Sequence, residues 1–309
     1  MNDMLAEIHQ TLTAIPGFEA MATDSYKTQR LGGLTNLVFR IDTAEDHYVL
    51  RIPGKGTEEY IDRAVEIHNA RVAARAGVSA EVIYADIESG VMLTRCIDDI
   101  VTMTPDEFGH RPGSAARAGE ALKQMHSRGE PFQFRFELFA MIDDYLAILD
   151  KLKAELPEGY SDVVKAAQPV REALDRNPVT LAPCHCDPLC ENFLDNGERM
   201  WIVDWEYSGM NDPFWDLGDL SVEAGFTPAQ DAEIMRAYCG NEPAAAEMGR
   251  MVIYKAMCDL LWTLWGLIQH SNGNQAEDFW AYSINRFERC KSLMNDPAFD
   301  AHVQAIDTP

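Results

Sequence analysis

Residues 185–192 read His-Cys-Asp-Pro-Leu-Cys-Glu-Asn, and residues 202–206, which follow shortly after, read Ile-Val-Asp-Trp-Glu. Asp187 and Asn192 stand five positions apart on a predicted tight loop, and Asp204 ends a short apolar strand. Phosphoryl transfer from ATP needs one carboxylate to accept the proton of the attacking hydroxyl. It also needs an amide and a second carboxylate to hold Mg²⁺ on the phosphates. The spacing therefore predicts ATP- and Mg²⁺-dependent phosphoryl transfer, with Asp187 as base and Asn192 and Asp204 as metal ligands.

The chain before this loop has the periodicity of a small sheet. A helix is predicted within residues 1–25, and strands are predicted at 29–31, 34–41 and 47–52. The turn at 32–36, Gly-Gly-Leu-Thr-Asn, lies between the first two strands, and a glycine pair frees backbone N–H groups to approach phosphate oxygens. Glycine pairs also mark ordinary turns. In this context the turn predicts nucleotide contacts from Gly33, Thr35 and Asn36.

The strand at 47–52 carries a candidate phosphate-binding cation. Alternation places Tyr48, Leu50 and Ile52 on one face and Arg51 with Val49 on the other. Arg51 lies two strands after a glycine turn, where a kinase fold requires a cation that binds the ATP phosphates. The alternative is an edge-strand arginine in a surface ion pair.

A helix at 58–76, closed by Gly77, follows with an acidic start. Its predicted apolar stripe consists of Ile61, Val65, His68 and Val72. Glu66 borders that stripe and is the predicted partner of Arg51. Glu59 and Asp62 remain open as partners, because the sequence does not orient the helix.

Two further strands, at 80–85 and 90–95, complete a small lobe. Cys96 and Ile97 are the predicted hinge, whose backbone could hold an adenine. From residue 104 onward the pattern is helical, interrupted only around 183–204. We therefore expect a nucleotide-binding lobe at 1–97 and a catalytic and substrate-binding lobe at 98–309. His126, at the end of a predicted helix at 115–127, is expected to be a packed or capping histidine and not a catalyst.

The net charge of −24 argues against a nucleic-acid partner and is compatible with a cationic substrate. The apolar run at 251–268 contains Lys255 and Asp259, so we expect no membrane insertion. The start of the chain does not have the pattern of an export signal, and the seven cysteines are scattered. We expect reduced thiols and a cytoplasmic protein.

Four residues raise the alternative of a zinc site: Cys184, His185, Cys186 and Cys190. Thiolates and imidazole suit zinc, but four ligands within seven residues are crowded for a tetrahedral centre. A zinc-binding structural protein is therefore the weakest alternative.

Together these motifs resemble the choline/ethanolamine kinases, which belong to the aminoglycoside-phosphotransferase-like, protein-kinase-like group. The resemblance rests on the turn at 32–36, the strand at 49–52, the loop at 185–192 and residues 204–207, Asp-Trp-Glu-Tyr. It runs from about Tyr26 to about Arg286. It implies an α+β bilobal kinase-like fold, with a small antiparallel-sheet N-lobe bearing one main helix and a larger, mostly helical C-lobe. It assigns Asp187, Asn192, Asp204 and Arg51 the same roles as the chemistry does.

One position departs from the family pattern, which usually has asparagine between the histidine and the aspartate. Here that residue is Cys186, so the support of the loop backbone is expected to differ. His185 is expected to fix the loop by hydrogen bonds, because Asp187 already supplies the base.

The C-terminal aromatic residues suggest the acceptor. Trp262 and Trp265 lie three apart on one predicted helix, and Phe279 and Tyr282 share the next. Such stripes are usually core. The resemblance, however, implies that Trp262, Trp265 and Tyr282 form a cage for a quaternary ammonium, with Phe279 where the family often has tyrosine.

Aromatic faces bind a quaternary ammonium by cation–π attraction, and a nearby carboxylate adds charge complementarity. Glu206 is a possible member of such an anionic pocket. Asp216 and Asp219 are predicted either to brace the loop or to face the cation.

We therefore expect an ATP- and Mg²⁺-dependent kinase of a small cationic alcohol, choline with ethanolamine weaker, and a possible homodimer. One alternative keeps the fold and acts on an aminoglycoside, thiamine or a sugar alcohol. Another is a catalytically silent kinase-like binding protein, against which the intact catalytic residues argue.

Overall fold

In the computed structural model, which describes residues 2–32, 36–54 and 61–307, an antiparallel sheet precedes a mostly helical region. Helix α1 (Asn2–Thr13) comes first and is shorter than the predicted segment at 1–25. Pro16 cannot continue a helix, and Gly17, with φ of +90°, turns the chain away. The strands that follow are β1 (Lys27–Arg30), β2 (Leu37–Asp42), β3 (His47–Ile52), β4 (Val82–Ala85) and β5 (Met92–Arg95), in the spatial order β1-β2-β3-β5-β4.

The sheet has one face against α1 and the other toward the helix that follows β3. Leu50 is buried in a cluster with Ile8 and Leu12 of α1, and Tyr48 and Ile52 pack at its margin. Arg51 points to the opposite face, where it meets the helix between β3 and β4. The alternation predicted for this strand is confirmed.

That helix, α2 (Arg63–Arg75), begins at its N-cap Asp62, whose carboxylate accepts the N–H groups of Ala64 and Val65. The predicted stripe is only partly right, because Val65 and His68 are half-buried. The buried face instead includes Glu66, Ile67, Asn69, Ala70 and Ala73, with Ile61 and Val72 as predicted. The helix has this orientation because Ile67, Ala70 and Ala73 join the large hydrophobic cluster of the C-terminal region, which leaves Glu66 facing Arg51.

The C-terminal region is helical around two small strand groups. Its helices are α3 (Pro105–His110), α4 (Ser114–Arg128), α5 (Leu138–Leu152), α6 (Tyr160–Ala166), α7 (Gln168–Arg176), α8 (Phe214–Glu223), α9 (Pro228–Cys239), α10 (Ala245–Ser271), α11 (Phe279–Met294) and α12 (Phe299–Ile306). Its strands are β6 (Val101–Thr102), β7 (Ala182–Cys184), β8 (Phe193–Asp195), β9 (Met200–Ile202) and β10 (Gly209–Asn211). The predicted lobe boundary, after Ile97, falls between β5 and β6.

Helix α10 is the central helix of this region and packs against α5, α8, α11 and α12. By length and composition it could cross a membrane, contrary to the expectation from Lys255 and Asp259. However, 78% of its most apolar stretch is buried inside the structure, as in the core helix of a globular fold.

The two strand groups hold the motif residues. β7 pairs with β10, and β8 pairs with β6 and β9, all antiparallel. The loop at 185–192 therefore runs from the end of β7 to the start of β8. Asp204 follows the end of β9 by two residues, so both motifs meet at one edge.

Candidate active site

The loop that carries Asp187 is closed by the amide of Asn192. Asn192 lies in a short 3₁₀ turn (Cys190–Asn192), and its Nδ2 donates to the backbone carbonyl of Asp187 at 3.1 Å. The amide oxygen Oδ1 of Asn192 remains for another partner. Because Asn192 lies five residues after Asp187, its amide NH₂ can hold the Asp187 backbone while its amide oxygen faces a ligand.

Asp216, on α8, braces the same loop from behind. Its carboxylate accepts the N–H groups of His185 (2.7 Å) and Cys186 (2.8 Å). Nε2 of His126 makes a third contact at 3.0 Å, and the indole N–H of Trp215 donates to the carbonyl of Cys186. Of the two roles predicted for Asp216, bracing the loop or facing the cation, its contacts fit the bracing role. His126 is packed as predicted, although its acidic partner was not foreseen.

Cys186 occupies a strained backbone position. Its φ is +67°, in the left-handed region that asparagine tolerates better than other non-glycine residues. The departure from the family's asparagine therefore has a local cost in the backbone. The Cys186 thiol is buried, with Sγ near the carbonyl oxygens of Cys184 and Gly209 and the amide of Asn211.

His185 has the structural contacts expected of it. Its Nε2 donates to the carbonyl of Val203 at 2.9 Å, and its ring packs against Trp205 with centroids 4.9 Å apart. Burial lowers the pKa of His185, which favours the neutral ring. The residue thereby ties the loop of Asp187 to the segment that leads to Asp204.

Asp187 and Asp204 are carboxyl groups whose negative charge nearby arginines offset only in part. Burial, followed by the Glu223 carboxylate, raises the pKa of Asp187 to about 7. Confinement in the cleft, followed by Glu206, raises the pKa of Asp204 to about 8, although 42% of its side chain is exposed. Arg286 and Arg51, respectively, only partly oppose these shifts. Two such carboxylates at one edge form a site for cations.

Arg51 pairs with Glu66, which decides among the three acids considered from the sequence. Asp62 is the cap of α2, and Glu59 lies outside the described residues. Arg63, unforeseen from the sequence, also contacts Glu66, at 2.7 Å. The pair is buried, with 12% of the Arg51 side chain and 1% of the Glu66 side chain exposed.

Two donors of Arg51 have no acceptor within the described residues. Its Nη1 contacts Glu66, Glu206 (3.3 Å) and, more distantly, Asp204 (3.8 Å). Its Nε and Nη2 are buried and meet no acceptor in the part of the chain that the structure describes. Buried guanidinium donors are normally satisfied, so these two suit an anionic group such as a phosphate.

Glu206 lies on the side of the arginines. Its Oε1 accepts from Asn36 (2.7 Å) and contacts Arg63 (3.1 Å) as well as Arg51. These contacts indicate that Glu206 holds the side chains of Arg51 and Arg63 in place. The role of Glu206 as a substrate ligand stays a prediction. Asn36 is buried between Glu206 and the N–H of Gly54.

The remaining predicted nucleotide contacts are less defined. Gly33 and Thr35 lie outside the described residues. The N–H of Cys96 donates to the carbonyl of His47, so it extends the sheet and is not available to an adenine. The carbonyl of Cys96 and the N–H of Ile97 have no hydrogen-bond partner among residues 2–32, 36–54 and 61–307.

The predicted metal ligands fit magnesium by their donor type. The oxygen Oδ1 of Asn192 and the carboxylate of Asp204 are hard oxygen ligands, the type that Mg²⁺ prefers. The backbone links the two, because the N–H of Val203 donates to the carbonyl of Asn192 at 3.0 Å. Asn192 and Asp204 are therefore the residues that would hold the ion.

An aromatic cluster lies between α10, α11 and the residue after Glu206. The Trp262 and Trp265 rings are perpendicular, with centroids 6.5 Å apart. Trp265 also contacts Phe279 (5.6 Å) and Tyr282 (5.8 Å). Tyr207, missed as a ring contributor, meets Trp262 at 5.7 Å and accepts the indole N–H of Trp265 at 3.2 Å. The four predicted aromatic residues are thus brought together.

A network of charged groups, also missed from the sequence, lies beside this cluster. Arg286 stacks on Tyr282 with its guanidinium carbon 4.5 Å from the ring centroid. Glu223 contacts Arg286 at 2.7 Å and Arg289 at 3.0 Å. A cleft of about 410 Å³, which Glu223, Tyr282 and Arg286 help to line, adjoins the network. These ion pairs join residues of α8 and α11 that are far apart in the chain, so helical spacing reveals none of them.

The zinc alternative receives no geometric support. Within the described residues, potential metal ligands converge in two groups of three, His126 with Cys184 and Asp216, and Glu66 with Asp204 and Glu206. His185, Cys186 and Cys190 join neither group.

Comparisons with known proteins identify the family of this chain. Residues 28–248 match the family model described as "Phosphotransferase enzyme family". The crystal structure of a choline/ethanolamine kinase family protein from Mesorhizobium loti is 58% identical, with a TM-score of 0.91, and the match covers 99% of this chain and 100% of that one. The choline kinase LicA from Streptococcus pneumoniae is 26% identical, with a TM-score of 0.77 and coverage of 94% and 99%. Protein LicA from Haemophilus influenzae is 27% identical over 90% of this chain and 83% of its own length.

Proposed function

Because this chain belongs to the phosphotransferase enzyme family, and within it to the choline/ethanolamine kinases, we propose that it phosphorylates choline, with ethanolamine as the weaker substrate. The general class, a phosphotransferase with an alcohol as acceptor, follows from the family itself. The proposal adds ATP as donor, Mg²⁺ as the required ion and the choice of alcohol.

The choice of choline is supported by the aromatic cluster, which lies next to carboxylates whose charge is only partly offset. The rings contact one another in a chain, Tyr207 against Trp262, Trp262 against Trp265, and Trp265 against Tyr282. Asp187 influences the pKa of Tyr282, so the cluster lies close to the proposed base. Methyl groups on an ammonium fill space between aromatic faces, and ethanolamine lacks them.

The proposed mechanism assigns one task to each group. The Asp187 carboxylate orients the acceptor hydroxyl and takes its proton as the terminal phosphoryl group leaves ADP. Arg51 donates to the phosphates through Nε and Nη2, while Glu66 and Glu206 keep its side chain in place. Asn192 and Asp204 would hold magnesium, which would supply positive charge against the phosphates. The Asp216 brace keeps the Asp187 backbone in place.

An ADP-release assay over choline, ethanolamine, thiamine and an aminoglycoside tests the proposal. We expect choline to have the highest kcat/KM. Trp265→Ala should raise the KM for choline about 2- to 30-fold, the value of one cation–π contact. Trp280→Ala is the matched control, because Trp280 packs on His270 outside the cluster and should leave this KM unchanged.

Two outcomes would contradict the proposal. One is a higher kcat/KM for an aminoglycoside or thiamine than for choline. The other is equal use of choline and ethanolamine with no effect of Trp265→Ala.

A further inference from the structure

Asp219 is a buried carboxylate that the mechanism above does not use. It lies on α8, three residues after the bracing Asp216, and only 1% of its surface is exposed. Its Oδ2 accepts the indole N–H of Trp262 at 3.3 Å. Its other oxygen has no hydrogen-bond donor among the described residues. A buried carboxylate with a single neutral donor is incompletely satisfied.

The neighbouring acids have cationic partners, whereas Asp219 has none among the described residues. Glu223, one turn further along α8, contacts Arg286 and Arg289. Asp259 contacts the same two arginines, at 3.2 and 2.6 Å. Two arginines thus offset two carboxylates, and in the described part of the chain no ion pair includes Asp219.

The electrostatics of Asp219 agree with this count. Burial, followed by the carboxylates of Glu223 and Asp187, raises its pKa well above the ordinary value. Arg286 and the Trp262 N–H oppose the shift without cancelling it. The interactions with Asp187 and Glu223 also show that Asp219 is near both the proposed base and the charged network.

On the basis of the proposed function, we infer that Asp219 determines specificity by supplying a buried carboxylate whose negative charge the ammonium group of the acceptor stabilises. It does so behind Trp262, at the wall of the aromatic cluster. A cationic acceptor offsets this charge on binding. An uncharged alcohol of the same shape fills the same space but leaves the carboxylate buried without a counter-charge, which is costly.

A purely structural role for Asp219, holding Trp262 by its hydrogen bond, makes a different prediction. Asp219→Asn removes the charge, but its amide oxygen can still accept the indole N–H. If only the hydrogen bond matters, this variant should discriminate between substrates as the wild type does.

The experiment compares choline with its carbon isostere, in which a neutral quaternary carbon replaces the ammonium nitrogen. The readout is the ratio of kcat/KM for choline to kcat/KM for the isostere. We expect the wild type to favour choline and Asp219→Asn to lose about ten- to a hundredfold of that ratio, as a charge at contact range implies. The KM for ATP should stay unchanged.

Two further variants make the result decisive. Glu277→Gln makes the same carboxylate-to-amide change at an exposed residue of the adjoining cleft and should keep the wild-type ratio. Asp219→Ser removes the charge with a smaller side chain, and thermal unfolding identifies which variants are folded. An unchanged ratio in either folded Asp219 variant overturns the inference. If the wild type uses neither choline nor ethanolamine, the proposed function fails first; if it uses choline and the isostere equally, only the inference fails.

Discussion

The brace on the catalytic loop makes Asp216→Asn the most informative single substitution. The carboxylate of Asp216 accepts at 2.7 Å from His185, at 2.8 Å from Cys186 and at 3.0 Å from His126, and it is fully buried. Asparagine has one acceptor oxygen where aspartate has two. In the best orientation its oxygen keeps the His185 and His126 contacts, and its NH₂ group then faces the N–H of Cys186.

The magnitude follows from these three contacts. A hydrogen bond to a charged group contributes about 1.5–3 kcal/mol. The variant loses the Cys186 bond, places two donors against each other and weakens the other two bonds. We expect a loss of about 3–5 kcal/mol in the free energy of unfolding, a large part of the total for a typical domain.

The loss should also reach the chemistry, because Cys186 directly precedes Asp187. A displacement of about 1 Å at a catalytic group costs on the order of a hundredfold in rate. Urea unfolding followed by tryptophan fluorescence measures the stability, and kcat at saturating ATP measures the turnover.

Asp175→Asn, an exposed aspartate on α7, is the matched control and should stay within about 0.5 kcal/mol of the wild type. The reasoning is refuted if Asp216→Asn unfolds within about 1 kcal/mol of the wild type and keeps its kcat.

Three other predictions follow from the site and its supports. Asp187→Asn should lower kcat by about a thousandfold while ATP affinity, measured by calorimetry, is retained; substantial turnover would exclude Asp187 as base. Cys186→Asn should raise the free energy of unfolding by up to about 1 kcal/mol, because asparagine suits φ of +67° and backbone carbonyls lie beside Sγ; a decrease in the urea midpoint would contradict this. Burial opposes the ionisation of Asp195, but hydrogen bonds from Arg117 and Arg111 outweigh it, and the pKa of Asp195 is lowered. Its contribution to stability is therefore present above about pH 4 and is lost as the pH falls through the folded-state pKa. The stability difference between wild type and Asp195→Asn should shrink toward acid, whereas a constant difference would argue against the ion pair.

Much of the catalytic centre could be predicted because its spacing is local. Asp187 and Asn192 are five residues apart, so one tight loop and a 3₁₀ turn bring the amide to the Asp187 carbonyl. Strand alternation likewise placed Arg51 opposite Leu50. Helical spacing likewise set Trp262 and Trp265 on neighbouring turns of α10.

The partners of these residues could not be predicted in the same way. The buried face of α2 is set by packing against the C-terminal helices, so the apolar stripe was misjudged while Glu66 was still a valid candidate. Arg63 is separated from Glu206 by 143 residues, and no local period connects them. Glu206 was therefore considered for the substrate side, which stays a prediction, and the contacts seen in the structure are with Arg51 and Arg63.

By itself, the sequence determined which residues are proposed for the chemistry, because the proposed base, its amide and a strand-borne cation each depend on short-range periodicity. Only the tertiary structure decided what each acid on α8 does. Asp216 meets the loop 30 and 31 residues before it, Asp219 meets Trp262 43 residues after it, and Glu223 meets Arg286 63 residues after it. The three acids of α8 thus contact, in chain order, the loop at 185–192, the aromatic cluster and the arginines of α11. Which of these acids has no cationic partner among the described residues depends on the packing of α8 against α10 and α11, and chain spacing does not encode that packing.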